Sequence, residues 1–240
     1  MARITREKYK TRGGVFDAFT ERNLFYLSGK GLFEEETLSP IKIGKEANVF
    51  SAKRPKSDEK LIIKIYRLET CDFDKMFDYL VVDPRFAQLK NQKRKVIFAW
   101  ARREYSNLLK ARNAGMNVPT PYDFKDNILF MEFIEDEEQP ALQLKDTSFT
   151  KIQYKKMLDK IIDQLRIMHN EAGLSHGDLS KFNILIKENE PYFIDFSQAV
   201  PLESPNSKAL LKRDCKNIAD YFQKQGLDIE AEEILKKIIA

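Results

Sequence analysis

Three short apolar runs of strand type, 41–43, 49–52 and 61–66, occupy the first third of the chain, separated by a turn at Gly44 and a polar stretch around 55–60. Their length and spacing predict an antiparallel meander. The period then changes. Over 96–111, Ile97, Trp100, Ala101, Leu108 and Ala111 recur at helical intervals, with Glu104 in the middle of the same stripe. After a turn at 117–121, a further strand is predicted over 127–134, and the acidic run 135–140 that follows reads as a hinge. A long helix is expected over 152–171, where Tyr154, Met157, Leu158, Ile161, Ile162, Leu165 and Met168 share one face and Gly173 is the stop. Apolar runs at 184–186 and 192–194 flank the turn 187–191 and predict a hairpin; helical patterns follow around 210–222 and 229–239. Ahead of the meander, Phe16, Phe19, Leu24 and Leu27 predict a helix over 16–27, after a basic arm at 1–14. Residues 67–92 are charged and aromatic without a clean period and read as a long, partly flexible connection.

Composition adds bounds. The 240 residues can form one large domain or two lobes, and the 42% hydrophobic content is that of an ordinary globular protein. A net charge of +4 permits a polyanionic partner such as ATP or RNA without demanding one. Cys71 and Cys215 stand far apart with no CxxC, giving neither a disulfide framework nor a zinc site, so a reducing cytoplasm is the expected compartment. No apolar run approaches the ~18 residues that span a bilayer, which predicts a soluble, non-exported protein. The basic cluster Lys90, Lys93, Arg94, Lys95, Arg102 and Arg103 either touches RNA or forms a solvated face.

Two charges stand where apolar residues are expected. Lys64 sits inside the third strand, where a buried ammonium needs an acidic partner. Glu104 is the only Glu between Glu69 and Glu132, and is the natural mate unless one of the two lies at an edge and meets water. The third unusual stretch is 174–199. It holds Asp178, then Asn183 five residues on, then Asp195, with the predicted hairpin carrying Asn183 and Asp195 to neighbouring strand ends. There an amide oxygen and a carboxylate could grip one hard cation, with Asp178 left to take or orient a hydroxyl proton. Such a D-x-x-x-x-N plus D-F-x arrangement is that of phosphoryl-transfer sites, in which the lysine of a Lys64–Glu104 pair is aimed at phosphate oxygens. A polar surface turn is the bland alternative, against which the joint spacing argues.

The order of these parts resembles the two-lobed protein kinases. More narrowly, Ile43-Gly-Lys-Glu-Ala-Asn-Val-Phe50, Ile63-Lys-Ile-Tyr66, Ser175-His-Gly-Asp-Leu-Ser-Lys-Phe-Asn-Ile-Leu185, Ile194-Asp-Phe-Ser-Gln198 and Arg213-Asp-Cys-Lys-Asn217 are similar to motifs of the RIO family of atypical serine kinases, especially its Rio-one branch. The resemblance runs from about Gly14 to the end of the sequence. It implies an α+β, two-lobed protein-kinase-like fold with an antiparallel-sheet N-lobe and a helical C-lobe, lacking the activation loop and peptide-docking subdomains. The division expected is an arm and helix at 1–35, an N-lobe at 36–134 with its insertion at 67–92, and a truncated C-lobe at 135–240.

The same resemblance implies ATP bound with Mg2+ or Mn2+. Ile43, Gly44, Lys45, Glu46, Ala47, Asn48 and Val49 would form the nucleotide loop, Lys64 would contact the α and β phosphates with Glu104 as its mate, and backbone groups of Glu132 and Ile134 would meet adenine behind Met131. Asp178 would be the catalytic base, and Asn183 and Asp195 the metal ligands, with Asp195 also a phosphate acceptor during ATP hydrolysis. The family is tied to late maturation of the small ribosomal subunit, so its precursor RNA and proteins are the expected partners of a cytoplasmic monomer, with no membrane or DNA partner. Against the kinase glycine loop G-x-G-x-x-G-x-V, alignment on Val49 keeps only Gly44; the loop is expected to be stiffer and to grip triphosphate also through Lys45 and Asn48. No A-P-E follows Asp195. Three functions are consistent with these features: an autophosphorylating serine/threonine kinase with ATPase activity, an ATPase-switched assembly factor, and a small-molecule phosphotransferase of the aminoglycoside or choline kinase type.

Overall fold

Residues 16–86, 88–89, 92–137 and 139–239 are described by the computed structural model; the arm expected at 1–14 and Lys90 lie outside the described residues. Alternating burial in the second and third strands builds the middle of the sheet. Strands β1 (Ser39–Ile43), β2 (Ala47–Lys53), β3 (Lys60–Tyr66), β4 (Pro121–Lys125) and β5 (Ile128–Glu132) form one antiparallel sheet in the order β1-β2-β3-β5-β4. In β3, Leu61, Ile63 and Ile65 pack with Leu24 and Leu27 of helix α1 (Ala18–Gly29), which Asp17 caps. Successive side chains of a strand point to opposite faces, so this packing turns Ile62 and Lys64 to the other side. Strand β4 begins where the sequence reads only a turn. Its first residue is Pro121, and a proline is tolerated there because β4 is an edge strand.

Residues 72–86 of the connection contain more regular structure than their sequence pattern suggests. Asp72 caps helix α2 (Phe73–Val81), in which Met76 and Leu80 are buried, and a 3-10 turn follows at Pro84–Phe86. Phe73, Met76, Phe77 and Leu80 do follow helical spacing, and interleaved charges hide it. They pack on Val96, Ile97 and Trp100 of helix α3 (Lys93–Asn113).

The second half centres on helix α4 (Lys151–Asn170), opened by a capping box between Thr150 and Gln153 and buried along the expected stripe. Helices α5 (Ser207–Lys224) and α6 (Ala231–Ile239) pack with it, and the same apolar core takes in Leu108, Leu129 and Met131 from the sheet side. The acidic run 135–140 folds into a small hairpin of β6 (Glu135–Asp136) and β7 (Gln139–Pro140). Strands β8 (Leu142–Gln143), β10 (Ile184–Lys187) and β11 (Glu190–Phe193) form a second sheet, while β9 (Leu174–Ser175) pairs with β12 (Val200–Pro201). The β10–β11 turn is tighter than the five residues expected. Glu188 and Asn189 both take positive φ, 52° and 61°, the two-residue turn that matches the twist of a hairpin. Among the described residues no helix is long and apolar enough to cross a membrane.

Candidate active site

Lys64 leaves β3 on the face away from Ile63, and its Nζ meets two carboxylates, 2.8 Å from Glu104 Oε1 and 2.9 Å from Asp195 Oδ1. Glu104 descends from the buried stripe of α3, and the Tyr66 hydroxyl donates to its Oε2. Burial pushes the Lys64 ammonium down, but Asp195 and Glu104 outweigh it and hold the group well above the ordinary lysine range. Lys64 is therefore charged at neutral pH. Asp195 takes φ 64° and ψ 65°, the left-handed region that few residues other than glycine adopt. Ser197 Oγ donates to the same Oδ1 at 2.7 Å. Burial alone would raise the Asp195 carboxyl; Lys64 and Ser197 reverse that and hold it far below the usual carboxylate range. Among the described residues both donors converge on Oδ1, so Oδ2 is the carboxylate oxygen that could meet a cation.

Asp178 lies on the loop after β9, and that loop is gripped from below by α5. Asp214, fully buried, accepts from the Gly177 amide at 2.8 Å and the Leu179 amide at 2.9 Å. Asn217 donates to Leu179 O at 3.0 Å, and Arg213 donates to Gly177 O. Gly177 has φ 77°, and a Cβ there would stand 3.0 Å from Gln198 O, so a side chain would be both strained in its backbone and crowded. Asn183 Nδ2 donates to Asp178 O at 2.8 Å and to its Oδ2 at 3.3 Å. The Asn183 carbonyl accepts from Ile194 N at 3.0 Å, which brings Asn183 beside Asp195 as the hairpin reading expects. Burial and then the charge of Asp195 raise the Asp178 carboxyl. His176 is buried with Nε2 3.1 Å from Ile194 O, and burial pushes it down to about 4, so it is a neutral packing residue.

The donor atoms suit a hard cation. Asn183 Oδ1 and Asp195 Oδ2 are oxygens, and among the described residues no cluster of three or more His, Cys, Asp or Glu could hold a metal alone. A cation here would complete its shell with phosphate oxygens and water, as Mg2+ commonly does.

The turn between β1 and β2 is braced from within. Arg67 donates to Gly44 O at 3.3 Å, its amide donates to Glu46 O at 2.9 Å, and Thr70 Oγ1 donates to Lys45 O at 3.0 Å. A Cβ at Gly44 would meet Ala47 O at 2.6 Å. Asn48 is buried, and its Oδ1 accepts from Gly44 N at 3.3 Å, so its side chain stiffens the loop from inside. Lys45 and Glu46 are exposed, as is Ile43 at 56%, and Val49 is half-buried. At the other end of the sheet Met131 is buried, and the Glu132 side chain is tied to Thr120 Oγ1 at 2.6 Å. The Glu132 amide donates to Thr120 O at 2.8 Å, and Ile134 O accepts from Ala141 N at 3.0 Å.

Lys64, Glu104 and Asp195 are thus joined directly, and Asp178 and Asn183 are joined to each other and to Asp195 through Ile194. Sequence reasoning assigns no role to Tyr66, Ser197, Asp214 or Asn217. Asp214 had a legible signal: it interrupts the apolar stripe Leu210, Leu211, Cys215, Ile218 of α5, just as Glu104 interrupts that of α3. Arg103 belongs neither to an RNA-facing nor to a solvated surface, because it is fully buried.

An antiparallel-sheet lobe and a largely helical lobe meeting at this loop constitute a two-lobed, kinase-like α+β fold. The Rio2 kinase–ADP/Mg2+–phosphoaspartate complex of Chaetomium thermophilum superposes with a TM-score of 0.64 at 21% identity, covering 90% of this chain and 65% of that one. The RIO domain model matches residues 48–234, and the chain belongs to the RIO family. It is 38% identical over 233 residues to the RIO-type serine/threonine-protein kinase Rio1 of Methanocaldococcus jannaschii, covering 97% of this chain and 78% of that protein. With the Rio1 kinase of Haloferax volcanii it shares 36% over 228 residues, 95% of this chain and 77% of that one.

Proposed function

We propose that this chain transfers the γ-phosphoryl group of ATP to serine or threonine hydroxyls, its own included. The observation that carries the reading is Lys64 Nζ held between Glu104 at 2.8 Å and Asp195 at 2.9 Å. On it, Lys64 meets the α and β phosphates, with Glu104 fixing its aim. Asp178 accepts the hydroxyl proton, and its raised basicity suits that task. Asn183 and Asp195 hold Mg2+ or Mn2+, which neutralises charge on the phosphates. Ile43 and Val49 cover the adenine; Ile134 N–H and the Glu132 carbonyl meet its edge, since Glu132 N–H and Ile134 O already have partners within the chain. The nucleotide would lie between units at 36–134 and 135–240, with 1–35 as a flanking piece.

A second reading is favoured by the geometry of Asp195. With Lys64 and Ser197 both on Oδ1, Oδ2 is the atom able to accept a phosphoryl group, which would make the protein an ATPase switch that docks on small-subunit precursors in the cytoplasm. The exposed Lys93, Arg94, Lys95 and Arg102 would suit such an RNA-bearing partner. Membership of the RIO family favours these two readings over the small-molecule phosphotransferase. The experiment is turnover of γ-labelled ATP by the intact chain and by Asp178→Ala, with and without a small-subunit precursor. Acid-stable label on serine that vanishes in Asp178→Ala supports the kinase. A hydroxylamine-sensitive adduct with free phosphate, and no acid-stable label, supports the switch and overturns the first reading.

A further inference from the structure

Arg103 precedes Glu104 on α3 and is fully buried. Its guanidinium donates to Tyr79 O of α2 at 3.0 Å, and to Gln198 O at 3.0 Å and Ala199 O at 3.2 Å in the loop that follows Asp195. Asp83 of the β3–α3 connection, itself fully buried, lies 3.7 Å away and supplies the counter-charge. Arg85 holds that carboxylate at 2.6 Å and donates to Asn107 Oδ1 at 2.9 Å. Asn107, one turn beyond Arg103, donates to Phe196 O at 3.0 Å and Ala199 O at 2.7 Å. The guanidinium also stands over Trp100, 5.1 Å from the ring centroid.

Residues 79–83, α3 and the loop 196–199, which is distant from both in sequence, therefore meet at one buried cation. Adjacent helix residues project about 100° apart, so Arg103 clamps the loop behind Asp195 while Glu104 faces Lys64. Burial lowers the Arg103 guanidinium to about 10 with Asp83 opposing, which leaves it cationic at neutral pH. A charge buried so deeply is an inefficient way to fill space, since an apolar side chain would pack without desolvation. Its partners are the carbonyls next to Asp195, and that points to a positional role.

We propose that Arg103, with Asp83, Arg85 and Asn107, is a latch that fixes the separation of Glu104 and Asp195 and so the place of Lys64 between them. Residues 79–85 then belong to the scaffold of the site. These are positioning residues, and the inference rests on reading Lys64 and Asp195 as the phosphate and metal residues.

The test is a pair of double-mutant cycles on the full chain, R103M and R85M each with and without E104Q, read as calorimetric affinity for Mg2+-ADP and as thermal midpoint. Arg85 is one-third exposed, so R85M keeps the test alive if R103M does not fold. Each single variant should weaken Mg2+-ADP about fivefold or more, and add less than about twofold in the E104Q background, because both changes act through one placement of Lys64. Losses that multiply across E104Q, or a folded R85M with unchanged affinity, would overturn the latch, since a merely structural role lowers the midpoint without this coupling. Failure of the intact chain to turn over ATP would count against the proposed function while the affinity cycle still decides the latch.

Discussion

The Asp214 carboxylate takes hold of the backbone on both sides of Asp178, accepting from Gly177 N at 2.8 Å and from Leu179 N at 2.9 Å. Asp178 itself is half-buried and its backbone position is set from α5. Asp214→Ala would orphan two buried amides, each at about 1–3 kcal/mol. A large fall in denaturant midpoint is expected, together with a fall in turnover greater than the fall in nucleotide affinity, because the loop that loses its anchor carries the proposed base. Urea titration and steady-state kinetics on the same preparation check it; a stable, fully active Asp214→Ala would show that Asn217 and Arg213 suffice.

The same carboxylate predicts a pH dependence of stability. Burial raises Asp214 to about 7 against the two amides and Arg213, from an ordinary value of 3.8. The folded state keeps this proton where the unfolded chain has lost it, so the stability it contributes is full below about pH 4 and is lost as pH rises through about 7. His176 acts in the opposite sense: lowered from 6.5 to about 4, it contributes stability present above its ordinary value and lost as pH falls through about 4. The two trends oppose each other between about pH 4 and pH 6.5 in the native chain. Asp214→Asn removes one of them, and its stability should rise with pH over that window more steeply than the wild type's. Urea midpoints across the window, taken as the difference between the two proteins, measure it; parallel curves would show that Asp214 does not titrate there.

What was legible in the sequence follows from which signals are local. The third strand is a nearly continuous apolar run and the α3 stripe is periodic, so the two charges that interrupt them, Lys64 and Glu104, could be paired from the sequence, and the structure joins them at 2.8 Å. The loop-and-hairpin spacing likewise set Asn183 beside Asp195. Strand β4 was hidden because it opens with a proline that only its edge position tolerates, and α2 because charges interleave its apolar face. The bond from Gly44 N to Asn48 Oδ1 was hidden for another reason: an amide in a loop motif is indistinguishable by sequence from one that braces its own turn. Tyr66, Arg103 and Asn107 act across long sequence separations through backbone carbonyls or a shared carboxylate, for which residue patterns carry no signal.

Lys64→Met tests the central pair energetically. It would leave Glu104, buried in α3, with the Tyr66 hydroxyl and no cation, and an orphaned buried charge costs about 3–5 kcal/mol. The double variant Lys64→Met with Glu104→Gln removes the charge as well and should recover much of that loss. Nucleotide binding should remain lost in both. Denaturant unfolding and ADP titration separate the two effects; equal destabilisation in the single and double variants would mean that Glu104 does not carry its charge in the fold.

Asp195 and Ser197 give the last prediction. Ser197 and Lys64 both donate to Oδ1, at 2.7 and 2.9 Å, so removing the serine hydroxyl leaves Oδ1 still held by the stronger, charged donor. Ser197→Ala should therefore weaken the Mg2+-dependent gain in ADP affinity only severalfold, about one hydrogen bond's worth. Asp195→Asn keeps an acceptor for Lys64 but lacks the charge a cation needs, and should abolish the gain while ADP alone still binds. The readout is calorimetric titration of ADP with and without Mg2+ for the three proteins. An Mg2+ effect that survives in Asp195→Asn would move the cation to other residues. A loss in Ser197→Ala as large as that in Asp195→Asn would mean that the left-handed turn at Asp195 depends on the serine rather than on Lys64.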